Sequence, residues 1–141
     1  MKGVILASLV GALLMLSGCA TGLSPQQTQF MDQYQARNLV VEKKNPTLAA
    51  GLGILPGGGS FYTGHIGLGI LNLLLWPASV LWDPVSGHNG AETANYYATK
   101  GKVDYQRKLA ENKLEDSLAA GTLTNQQFIQ KKRELDDQYP Q

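Results

Sequence analysis

The chain has 141 residues, 12 basic and 11 acidic, with two histidines and a formal net charge of +1. Such a balance lacks the basic footprint of a nucleic-acid binder and the polybasic patch that holds proteins on anionic headgroups. Its single cysteine excludes an intramolecular disulfide, and the length allows one small domain or two smaller modules.

The chain opens on Lys2, an apolar run from Val4 to Met15, and then Leu16-Ser17-Gly18-Cys19. That run is short for a transmembrane helix, which takes about 20 residues. Small residues at Ser17 and Gly18 let an extended backbone enter a peptidase cleft, and the Cys19 thiol is a nucleophile. The pattern resembles a bacterial lipoprotein signal peptide closed by a lipobox. The resemblance implies removal of residues 1–18, lipidation of Cys19, and a mature chain tethered to a membrane on the side away from the cytoplasm. Ala20 stands where inner-membrane retention signals carry Asp, which implies sorting to the outer membrane in preference to the inner one. An ordinary secretory signal with an incidental cysteine is the alternative.

Residues 19–29, small and polar, read as a flexible tether. A helix is expected over 30–44, with Phe30, Tyr34 and Val41 on one face and Arg37 and Asn38 between them. Asn45-Pro46 then fits an N-cap followed by a first helical residue.

No residue between Lys44 and Asp83 carries a full charge, and ten of the 16 glycines lie between Gly51 and Gly90. Thr47 to Leu55 predicts a short small-residue helix with a ridge of Ala49, Gly53 and Gly57. Pro56 to His65 predicts a glycine-rich turn. Ile66 to Trp82 predicts an apolar helix that Pro77 kinks or ends. Asn72 on that helix is an amide expected to bond across to another helix.

The Lys43-Lys44 entry, Pro56-Gly57-x-Gly59-x-Phe61-Tyr62-x-Gly64, Gly69, Leu73-Leu74-Leu75 and the Trp82-Asp83 exit resemble the small two-transmembrane-helix domain, over about 40 residues. The resemblance implies a helical hairpin whose turn and packing use Pro56, Gly57, Gly59, Phe61, Tyr62, Gly64 and Gly69. The chain departs from that pattern in its short first helix and in Pro77. Both departures favour a shallow hairpin over two full crossings, the alternative being a buried hairpin in a soluble body. Lipidated Cys19 and the charged C-terminal region belong on one side of the membrane, so crossings are even in number or absent.

Asp83 to Gly90 reads as a turn-rich loop, and Ala91 to Lys100 as a short helix bearing Tyr96 and Tyr97. Beyond it, Leu109, Ala110, Leu114 and Leu118 mark a helix ending at Gly121, and Thr124-Asn125-Gln126-Gln127 is a capping box opening another with Phe128, Ile129 and Leu135. Leu114 to Leu135, about 22 residues with Gly121, Leu123-Thr124, Gln127-Phe128 and Lys132, resembles the short C-terminal (SHOCT) helical hairpin. Two such helices hold too few large apolar residues to make a core alone, so they must pack on their own domain, another copy or a partner.

Catalytic patterns are missing from the sequence. Gly59 is followed by Ser60-Phe61 rather than the Lys-Ser/Thr of a phosphate loop, and the glycine spacings break the dinucleotide fingerprint at Pro56 and Asn72. His65 and His88 match no zinc spacing. Ser60, Ser79 and Ser86 lie in no nucleophile motif, and nothing pairs Asp83 with Glu92. No metal or cofactor is expected.

The sequence thus reads as an all-α protein: signal peptide 1–18, tether 19–29, glycine-rich apolar helical hairpin region 30–100 with its core at 47–84, and a short charged helical hairpin at 101–141. The function expected is that of a non-enzymatic, membrane-anchored envelope lipoprotein acting as a scaffold or oligomerisation module. Its partners would be membrane lipid through Cys19 and protein, or itself, through residues 102–137, without nucleic acid. The alternative is a soluble-bodied lipoprotein that binds a lipid or other hydrophobic ligand within the apolar hairpin.

Overall fold

The computed structural model describes residues 21–141. The signal-like segment and Cys19 lie outside these residues. The described chain is all-helical, with six α-helices and no strand among the described residues. The helices are α1 (Pro25–Ala36), α2 (Pro46–Leu52), α3 (Gly58–Thr63), α4 (Ile66–Leu74), α5 (Asp83–Ala119) and α6 (Asn125–Gln138), with a 3₁₀ turn at Ala78–Leu81 before α5. They form two compact units. Unit 1 holds described residues 21–23 and 43–94, and unit 2 holds residues 24–42 and 95–141.

In unit 1, Asn45 caps α2 by accepting the Leu48 N–H at 2.8 Å, with Pro46 in the first turn as expected. The expected two-helix hairpin is replaced by three short helices and the 3₁₀ turn. The reason is local. Gly57 (φ +70°) and Gly64 (φ +90°) adopt the left-handed backbone, so each ends one run and starts another, and a helix of six residues fits between them where a turn was expected. Helix α4 stops at Leu74, before Pro77, which cannot supply a helical N–H. Among the described residues no helix is long and apolar enough to cross a membrane.

Asp83 to Gly90, expected as a loop, is the start of α5, a single helix of 37 residues. It runs without a break through the expected boundary at 100/101. Pro84 sits at the helix start, where its missing N–H costs nothing. Gly87 and Gly90 are buried contacts rather than breakers. A Cβ on Gly87 would lie 2.7 Å from the Ala49 carbonyl oxygen and 2.9 Å from Gly59 Cα, so α2, α3 and α5 meet there backbone to backbone. Ala49 and Gly53 of the expected ridge serve this junction. Gly57 instead lies outside any helix, packed on the Gly69 carbonyl and the Phe61 ring.

Unit 2 is built from α1, the later part of α5, and α6. Helix α1 begins at Pro25 and ends at Ala36, displaced from the expected 30–44 and occupying part of the expected tether. Ser24 and Gln27 form a full capping box at its start, and Asn38 (φ +55°) turns the chain at its end. The core holds Tyr34, Tyr96, Val103 and Leu135, with Thr99 Oγ1 accepting the Val41 N–H at 2.9 Å. Helix α6 is tied down at two points. Arg37 Nε donates to the Asp137 carbonyl at 2.8 Å, and Arg107 Nη2 pairs with Asp136 at 2.7 Å. The expected Gly121 terminus (φ +69°) and the Thr124–Gln127 capping box are both present.

Burial raises the Tyr34 phenol above its usual value of 10.0, because phenolate is disfavoured in the core, while the Lys100 charge pulls the other way. The stabilisation from a neutral Tyr34 is therefore complete below pH 10.0 and lost as pH rises through the higher folded value. Tyr34→Phe is expected to flatten the alkaline fall in unfolding midpoint, and an unchanged fall would refute the assignment. Glycines of α5 give a second test. Gly87→Ala should destabilise by about 1–3 kcal/mol through overpacking. A Cβ added at Gly101 would meet nothing within 4 Å. Gly101→Ala should therefore stabilise by up to about 1 kcal/mol. Thermal unfolding followed by circular dichroism reads both signs.

Candidate functional site

The most organised polar chemistry in unit 1 is sealed inside it. Asp83 and Asn72 are 0 % exposed and Ser60 is 1 % exposed. Asp83 is the first residue of α5, Ser60 lies in α3 and Asn72 in α4, so one cluster joins three helices. Asp83 Oδ1 accepts from Ser60 Oγ at 2.5 Å and from Asn72 Nδ2 at 2.7 Å. Its Oδ2 accepts from the Gly59 N–H at 3.3 Å. Asn72 Nδ2 also donates to Ser60 Oγ at 3.0 Å, and Asn72 Oδ1 accepts from Trp82 Nε1 at 2.8 Å.

The donor directions are mutually consistent. Indole Nε1–H can only donate, which fixes Asn72 with its oxygen towards Trp82 and its NH₂ towards Ser60 and Asp83. The carboxylate oxygens act as acceptors, and their donors are neutral. Its position at the start of a long helix adds a favourable dipole. In chemical terms the cluster is a lock. Ser60 Oγ is hydrogen-bonded to a carboxylate, as a nucleophile would be, but it has almost no surface from which to reach a substrate.

The predicted turn and packing residues divide between this lock and its surroundings. Asn72 makes the expected contact between helices, within one chain. Gly59 supplies a backbone N–H, and Gly69 lies under the Phe61 ring, 2.6 Å from where its Cβ would sit. Tyr62 accepts the Asn45 N–H at 3.1 Å, and Lys44 Nζ stands 4.7 Å from its ring centroid. Gly57 and Gly64 make the left-handed turns, and Pro56 lies in the loop before α3. Cys19 lies outside the described residues.

The histidines have local partners. His65 Nδ1 is 2.9 Å from Thr63 Oγ1, and His88 pairs with Glu92 at 3.3 Å. Asp83 and Glu92 are thus engaged separately. Among the described residues, no group of three or more His, Cys, Asp or Glu side chains is placed to hold a metal. Sequence reasoning missed Asp83, Ser60 and Trp82 as members of the cluster. The available signal was a lone acid closing a 38-residue uncharged stretch.

Around this polar centre the apolar side chains face outward. Leu74 is 75 % exposed and Leu81 84 % exposed, and Ile54, Leu55, Ile66, Ile70, Leu73, Trp76 and Val85 are exposed as well. Buried side chains of unit 1 include Ser60, Asn72, Ser79, Asp83 and Ser86. This inverts the usual soluble pattern, in which large apolar patches are covered.

Compared with known proteins, the chain matches no family model, no curated protein and no solved structure.

Removing one partner from the lock leaves the others buried and unpaired. Asn72→Leu should lower stability by about 1–3 kcal/mol, and more if Asp83 loses further bonds through relaxation. Ser79 gives the opposite sign: its Oγ is buried with no protein hydrogen-bond partner. Ser79→Ala should raise stability by up to about 1 kcal/mol. Equal unfolding midpoints for the wild type and Asn72→Leu would show that the cluster is not structural.

Proposed function

We propose that this protein is a non-enzymatic envelope lipoprotein, anchored by lipid on Cys19, whose helical body acts as a membrane-bound scaffold. The observation that carries the reading is the reversed polarity of unit 1, whose Asp83, Asn72 and Ser60 side chains are hydrogen-bonded to one another inside and whose large apolar side chains are presented outside. A membrane is the solvent in which internal satisfaction of polar groups is required and apolar exposure is stable. The Leu16-Ser17-Gly18-Cys19 pattern supports attachment to that membrane, and Ala20 supports the outer one. Two or more acyl chains hold a protein stably where a single chain does not.

Unit 2 is the interaction module in this reading. It carries nine basic and nine acidic residues, and Ile129 on α6 is 52 % exposed beside Gln126, Gln130 and Arg133. Residues 102–137 therefore offer a mixed surface suited to another copy or an envelope protein. Enclosure of a hydrophobic ligand within unit 1 has weaker support, since the interior there is polar.

Mass spectrometry of the mature protein is expected to show an acylated Cys19 at its N-terminus. Cys19→Ser should accumulate as the unprocessed chain. Processing of that variant, or a free thiol at Cys19, would refute the lipoprotein reading. A photo-crosslinking residue at position 129 is expected to give one discrete adduct in cells. Its absence there and at positions 130 and 133 would remove the scaffold role from this face.

A further inference from the structure

Unit 1 has an outward apolar surface, and the question is what covers it. We infer that the surface is immersed in the acyl-chain layer of a single leaflet, the one into which the Cys19 lipid inserts. This inference rests on the lipoprotein reading above and names the partner of its apolar surface.

Four observations favour lipid over protein. First, the outward residues come from successive elements: Ile54 and Leu55 after α2, Ile70 and Leu74 on α4, Trp76 just after α4, and Leu81 in the 3₁₀ turn. A protein interface has an apolar core within a polar rim. In unit 1 the charged residues are Lys43, Lys44, Asp83 and Glu92, and Asp83 is buried, so charge is confined to the two ends of its main segment. Second, the buried Asp83 cluster is already hydrogen-bonded within the unit, as an apolar solvent demands.

Third, lengths match one leaflet. Helices α2, α3 and α4 have seven, six and nine residues. They therefore extend about 9–14 Å. One leaflet contributes about 15 Å of a hydrocarbon layer about 30 Å thick, and no described helix is long and apolar enough to cross both leaflets. Fourth, the anchor enters at the right unit. Described residues 21–23, which follow Cys19 almost directly, belong to unit 1, and Gly22 lies against the Asn89 side chain. Acyl chains on Cys19 would thus hold this unit at the membrane surface.

Trp76 and Trp82 are the only tryptophans, so their fluorescence reports on unit 1 alone. The acylated full-length mature protein would be reconstituted from outside into preformed vesicles of phosphatidylethanolamine and phosphatidylglycerol bearing bromines on the acyl chains. Strong quenching of tryptophan emission is expected. The double variant Leu74→Asp, Leu81→Asp should stay vesicle-bound through its lipid and lose most of that quenching. Both positions are exposed, so the fold should survive, and an unchanged circular dichroism spectrum would show it. A second variant, Leu55→Cys, should resist a maleimide confined to the vesicle lumen.

Acylated, vesicle-bound protein with unquenched tryptophans would overturn the inference while leaving the lipoprotein reading intact. If such protein also cross-linked as a dimer, a second copy would be the cover instead. Labelling of Leu55→Cys from the lumen would overturn insertion into one leaflet. A mature chain without acyl groups on Cys19, detected by its mass, would instead sink the lipoprotein reading on which the inference rests.

Discussion

Unit 1 depends on the buried carboxylate of Asp83. A charge-bearing group in an apolar setting is expensive unless hydrogen bonds replace the water it loses. Here Ser60, Asn72 and the Gly59 backbone supply those bonds from two other helices, so satisfying one side chain fixes where α3 and α4 lie against the start of α5. Trp82 extends the same logic outward. Its N–H reaches the cluster while its ring remains partly exposed, joining the polar interior to the apolar exterior through one side chain.

Close backbone contact makes that arrangement possible. The Ala49, Gly53, Gly59 and Gly87 positions let α2, α3 and α5 meet without intervening side chains. Large apolar residues are therefore not needed between these helices and are left to the outside. The uncharged sequence from Asn45 to Trp82 and the abundance of glycine have one common explanation: small residues build the inside and large ones face an apolar surrounding.

Local signals in the sequence were legible where one residue dictates one geometry. Asn45-Pro46, Gly121 and Thr124–Gln127 specify caps through their own side chains or backbone freedom, and each is found as read. Ser24-Pro25-Gln26-Gln27 carries the same capping signal as Thr124–Gln127, and overlooking it displaced α1 towards the C-terminus. Gly87 and Gly90 were misread because a glycine that breaks a helix and one that admits a neighbouring backbone look alike in one dimension. Asn72 was recognised as an amide in an apolar helix. Its partners were not, because Ser60 and Asp83 become neighbours only through the breaks at Gly64 and at the 3₁₀ turn before α5.

The two units differ in how their contacts are spread along the chain, and this bears on the order of assembly. Bonds of the Asp83 cluster span only 10 to 24 positions, so unit 1 can form once its own segment is free. Unit 2 is discontinuous. Its Val41–Thr99 and Arg37–Asp137 bonds span 58 and 100 positions, with residues 43–94 between its two pieces. Each must otherwise be closed against the entropy of a long free chain. A folded unit 1 takes most of that free chain out of the loop to be closed. Helix α1, synthesised early, thus waits for partners made last, and the inserted unit shortens its search.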